Sequence, residues 1–135
     1  MDAAKRLIET TLPGRPEAAT RARRVVRSLE GLIPTERLDD VELVASELVG
    51  NSVRHALCNN PDGAIDLKIV ASPETVRLEV VDPGPGFEPK GGRPSDLSPN
   101  GRGLFLVETL SQRWGVMRDR ATTVWCELDV AAAGG

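Results

Sequence analysis

The stretch from Glu42 to Ala56, ELVASELVGNSVRHA, decides how the chain folds. Leu38 just before it, then Ala45, Val49 and Ala56, recur at helical spacing and give one long helix with an apolar stripe. On roughly the opposite face Glu47 and Asn51 stand four residues apart, so they are neighbours one turn apart, with Arg54 close by. A carboxylate and a carboxamide so placed can serve a hydrated hard cation. The Asn oxygen can ligate it, while the Glu can hold or deprotonate a nucleophile. Taken alone, the same residues suit a solvated helix face better, and two later glycine motifs reverse that weighting.

Working outward, Pro34 and Thr35 open this helix, and Glu36, Asp39 and Asp40 suit the positive end of its dipole. It should run to about Leu57, where Asn59-Asn60-Pro61-Asp62-Gly63 is a strong stop. Before it, Lys5 to Leu12 alternates loosely and is expected as an edge strand ended by Pro13-Gly14. Glu17 to Leu29 follows as a helix with Ala18, Ala22, Val25, Val26 and Leu29 on one side. Its Arg21, Arg23, Arg24 and Arg27 form either a solvated face or a basic docking surface for an acidic protein. After the long helix, Ile65, Leu67 and Ile69 alternate with Asp66 and Lys68, and Val76, Leu78 and Val80 with Arg77 and Glu79. These are two half-buried antiparallel strands. Arg113 to Met117 and Thr122 to Val130 are expected as a final strand pair, preceded by a short apolar helix, Leu104 to Leu110. The order predicts an α+β fold: a two-layer sandwich with helices on one face of a mostly antiparallel sheet.

Composition narrows the function classes. At 135 residues the chain is expected to be one domain, residues 1–135. A net charge of −3 with no block of like charge predicts neither a nucleic-acid nor a membrane surface, and an aromatic content of 3% leaves no base-stacking platform. Met1 to Thr20 lacks the apolar centre of a signal peptide, and Cys58 and Cys126 have no CxxC spacing. The expectation is a reduced, cytoplasmic protein. His55 with Cys58 offers two metal ligands at most, too few for a zinc site.

The second of the paired strands runs into Asp82-Pro83-Gly84-Pro85-Gly86. A carboxylate at the end of a buried strand is a fixed acceptor for an exocyclic amine, and the glycines let a flat ring approach the backbone. Residues from about 87 to 100 are rich in Gly and Pro and almost without apolar residues, which predicts a mobile lid. Gly101-Arg102-Gly103 then opens a helix, where free backbone N–H groups bind anions and Arg102 adds charge. Each motif alone is also an ordinary turn. The phosphate loop GxxxxGK[ST] is absent, and no GxGxxG follows a strand.

In this order, Glu47-x-x-x-Asn51, Asp82-x-Gly84-x-Gly86 and Gly101-x-Gly103-Leu104 resemble the N, G1 and G2 boxes of the GHKL ATPases. The resemblance spans roughly Pro34 to Leu128 and implies the Bergerat ATP-binding fold. The compact length, Ser46-Glu47-Leu48-Val49 and Gly101-Arg102-Gly103-Leu104 look most like the bacterial anti-sigma-factor serine/threonine kinases. By that resemblance Asn51 would ligate Mg²⁺, Asp82 would bind the adenine amine of ATP, and Gly84 and Gly86 would line its pocket. Gly101, Arg102, Gly103 and Leu104 would hold phosphate, Thr123 would close the adenine end, and Glu47 would be the general base. The implied substrate is a small anti-sigma-factor antagonist, with a sigma factor as a competing partner and a homodimer as the assembly. A non-catalytic, nucleotide-dependent binding module is the alternative. Pro83 and Pro85 depart from the pattern by stiffening the first glycine box and removing two backbone donors.

Overall fold

The computed structural model describes residues 5–59, 63–82, 102–118 and 121–131. Five strands form one sheet: β1 (Arg6–Pro13), β2 (Ala64–Ala71), β3 (Thr75–Asp82), β4 (Arg113–Arg118) and β5 (Thr122–Asp129). Their spatial order is β1-β2-β3-β5-β4, and every neighbouring pair is antiparallel. Among the described residues three helices, α1 (Glu17–Arg27), α2 (Thr35–Asn59) and α3 (Arg102–Leu110), pack on one face of it. The expected two-layer α+β architecture, with β1 at an edge, is therefore the observed one.

Strand period two produces the layering. Ile65, Leu67, Ile69 and Ala71 of β2 are buried, as are Val76, Leu78 and Val80 of β3 and Val124, Cys126 and Leu128 of β5. These inward rows meet Ala18, Ala22, Val26 and Leu29 from the α1 segment and Leu38, Val41, Val44, Ala45, Leu48, Val49 and Val53 of α2. The apolar surface of α2 is thus wider than the stripe expected from Leu38, Ala45 and Val49. The reason is its position: α2 touches α1, α3, β2 and β3, so it has neighbours on most sides. Arg27 Nε lies 2.8 Å from Glu42 Oε2, an ion pair between α1 and α2 that is close but not aligned as a hydrogen bond.

The chain reverses between α1 and α2 at Gly31, whose φ of +95° is a conformation that favours glycine. The outward rows of the central strands carry ion pairs. Arg77 donates to Glu79 at 2.7 Å and to Glu127 at 2.8 Å, and Arg113 donates to Glu127 at 2.7 Å. The Arg77 guanidinium also lies 4.4 Å from the centre of the Trp125 ring. Among the described residues no helix is long and apolar enough to cross a membrane.

Candidate functional site

Helix α2 carries the first two candidate residues. Glu47 is half-buried, and Asn51, one turn later, is only 3% exposed. Asn51 is therefore not on a solvated face, as the helical pattern alone suggests; packing around α2 encloses it. A carboxamide that deep needs partners, and its Oδ1 accepts from Arg54 Nη2 at 2.9 Å. The oxygen expected to ligate a cation is thus already turned toward a cationic group.

Asp82 continues the inward alternation of β3 after Val76, Leu78 and Val80, and is 8% exposed. Its side chain belongs to the helix-facing layer at the very end of the strand, and α2 packs against β3. Helix α3 starts at Arg102, two residues earlier than the apolar pattern suggests, and packs against α2. The first turn of α3, with Arg102, Gly103 and Leu104, lies on the helix-covered side of the sheet, and a helix start is where backbone N–H groups lack partners within the helix. The side chains of Arg102 and Leu104, all of Gly84, Gly86 and Gly101, and the expected lid at 87–100 lie outside the described residues.

The register of β3 with β5 bears on one expectation, that for Thr123. Thr123 stands opposite Val81, on the sheet face that points away from the helices. Thr122 stands opposite Asp82, at an inward position with Val124, Cys126 and Leu128. The physical reason is alternation: a shift of one residue moves a side chain to the other face. In the sequence Thr122 and Thr123 are adjacent and chemically identical, and the signal that separates them was available. Counting back from the buried apolar row of β5 puts Thr122, not Thr123, on the Asp82 side.

Other groups are set aside by their surroundings. Burial pushes the Cys126 thiol up to about 12, so it stays protonated and is no nucleophile. A depression of about 510 Å³ lies on the sheet beside Glu9, Thr11, Asp66, Lys68, Glu79 and Val81. None of the candidate residues lines it, and Thr11 already bonds Asp66 at 2.9 Å. Among the described residues no three His, Cys, Asp or Glu side chains are placed to hold a metal ion. A magnesium ion would fit at Asn51 Oδ1 as a single protein ligand, completed by phosphate oxygens and water, which is the usual habit of that cation.

Comparison with known proteins follows this geometry. The model of the histidine kinase-like ATPase domain matches residues 12–127. The serine-protein kinase RsbW of Listeria monocytogenes is 28% identical over 134 residues, covering 87% of this chain and 83% of its own. An anti-sigma F factor of Clostridium botulinum is 35% identical over 86 residues, covering 58% of this chain and 60% of its own. The crystal structure of the RsbU and RsbW domains of a Mycobacterium tuberculosis protein superposes with a TM-score of 0.65. At 20% identity, covering 94% of this chain and 33% of that one, this likeness concerns the fold. Five antiparallel strands under three helices, an Asn buried on the central helix and an Asp ending an inner strand accord with a match over nearly the whole length: the chain belongs to the histidine kinase-like ATPase domain family.

Proposed function

We propose that this protein is a Mg²⁺–ATP-dependent serine/threonine protein kinase of the anti-sigma-factor type. It phosphorylates a small antagonist protein, and the unphosphorylated antagonist competes with a sigma factor for it. The observation that carries this reading is the pair on α2: a half-buried carboxylate, Glu47, one turn from a buried carboxamide, Asn51. Phosphoryl transfer asks mainly for positioning and charge neutralisation. Asp82 accepts a hydrogen bond from the adenine amine, with Thr122 across from it on β5. The helix start at Arg102 donates backbone N–H groups to the phosphates. Glu47 takes the proton of the attacking Ser or Thr hydroxyl as its oxygen bonds the γ-phosphorus, while the bond to the β-phosphate oxygen breaks and ADP leaves. Magnesium, held by Asn51, supplies charge to the phosphate oxygens when bound.

Similarity to a serine-protein kinase and to an anti-sigma F factor supports the kinase class and the two protein partners. The reading includes a single domain with a lid at 87–100, a homodimer and a cytoplasmic place of action. Its test is Glu47→Gln with labelled ATP and candidate antagonist proteins. Phosphotransfer should fall by about 10²- to 10⁴-fold, the usual worth of a positioned base, with ATP binding retained. Partner regulation that survives Glu47→Gln unchanged would replace the kinase with a nucleotide-dependent binding module.

A further inference from the structure

Arg54 follows Asn51 by three residues on α2, so the two side chains share a helix face. Its Nη2 donates to Asn51 Oδ1 at 2.9 Å. Its Nη1 lies so far back along the helix that a Cβ added at Gly50 would be 3.8 Å from it. The guanidinium is therefore folded back over Gly50 and Asn51, although Arg54 is an exposed residue with solvent open to it. Among the described residues Arg54 makes no ion pair, and the partner it does have there is a neutral, buried oxygen.

From this geometry we infer that Arg54 is a resident cation on the metal-ligating oxygen, which a divalent ion must displace or share. This rests on the nucleotide-site reading above. A carboxamide oxygen has two lone pairs, so both cations can find a direction of approach. Repulsion between a guanidinium and a divalent ion on one oxygen then decides the outcome, because unlike a hydrogen bond it does not depend on angle. Arg54 and the metal are coupled antagonistically, and by linkage each weakens the other's hold on Asn51. The arrangement also gives Arg54 a positioning role: it keeps a buried acceptor satisfied and correctly turned before the metal arrives. Nucleotide binding by this protein accordingly depends on magnesium less steeply than the buried Asn51 alone would dictate.

The experiment titrates the full chain with ADP by calorimetry, with and without Mg²⁺, and takes the ratio of the two dissociation constants. Arg54→Gln should enlarge that ratio by about tenfold, since removing a like charge a few ångströms away relieves the ion at Asn51. Arg54→Met repeats the measurement with the apolar stem kept, and thermal melting confirms that each variant is folded. In an Asn51→Ser background Arg54→Gln should leave the ratio unchanged, because the shared oxygen is gone. A ratio that Arg54→Gln and Arg54→Met both leave at the wild-type value, with ADP still bound, overturns the inference and spares the nucleotide site. Wild-type protein that binds no ADP at millimolar concentration, with or without Mg²⁺, overturns both.

Discussion

The two faces of the sheet are built from the same five strands and held by different physics. On the inward face Leu78 is fully buried among aliphatic side chains, and one residue earlier on the outward face Arg77 is 30% exposed and held by two carboxylates and an indole ring. Close packing makes the inward face intolerant of change in volume, whereas charge pairs near water are screened and individually weak. The nucleotide-binding residues we propose, Asp82 and Thr122, sit where the rigid face runs out at the end of its strands. A site placed there borrows its precision from the core.

The largest expected effect tests that contrast directly. Leu78→Ala should cost about 2–5 kcal/mol of unfolding free energy in urea, from lost transfer energy and the cavity left behind. Arg77→Ala should cost less than about 1 kcal/mol, in line with exposed ion pairs. Equal losses would erase the distinction between the faces. Next in size, Gly115→Ala should destabilise by about 1–3 kcal/mol, the usual cost of overpacking. A Cβ at Gly115 would fall 2.9 Å from Trp125 Nε1 and 3.0 Å from two ring carbons, so the indole or the strand must move. A neutral outcome would mean that the Arg77–Trp125 stack slides freely on the outward face.

A smaller effect separates two adjacent threonines. Thr122→Val should weaken ATP binding up to about tenfold by calorimetry, the worth of one hydrogen bond. Thr123→Val should leave it unaltered, because that side chain stands on the other face. The reverse result would shift the site by one residue and favour the original sequence expectation. The smallest effect is one of pH. Hydrogen bonds from Arg113 and then Arg77 hold the Glu127 carboxyl below its ordinary value of 4.5. A carboxyl lowered in the folded state adds stability above the unfolded value and loses it as pH falls through the folded one. Wild type should therefore lose stability below pH 4.5 more steeply than Glu127→Gln, with the difference fading in high salt.

The elements were legible because their signals are local. Alternation marked β2 and β3 to within a residue, and Pro34 with the Asn59 to Gly63 stop bounded α2. Tertiary properties were less accessible. Nothing in the spacing of Leu38, Ala45 and Val49 says that α2 lies between α1 and α3, so the burial of Asn51 is not written in the helical pattern alone. The insertion of β5 between β3 and β4 follows from sheet pairing, which chain order does not encode. Of the site, Glu47, Asn51 and Asp82 were recognisable because their chemistry comes in spaced motifs. Thr122 and Thr123 differ only in parity along one strand, which puts their side chains on opposite faces. Arg54 was visible as a neighbour of Asn51, but its hold on Oδ1 is a side-chain geometry that no pattern states.

The packing of Trp125 over Gly115 has an optical consequence. The chain contains two tryptophans and no tyrosine, so its near-ultraviolet emission comes from Trp114 and Trp125 alone. They occupy neighbouring strands and opposite faces: Trp114 packs against the core opposite Cys126, while Trp125 lies outward beneath a guanidinium. The molecule thus carries two half-buried fluorophores, one against the core and one on the outward face of the sheet. Replacing either with phenylalanine leaves a single reporter, one tuned to the melting of the helix layer and the other to whatever approaches the bare side of the sheet.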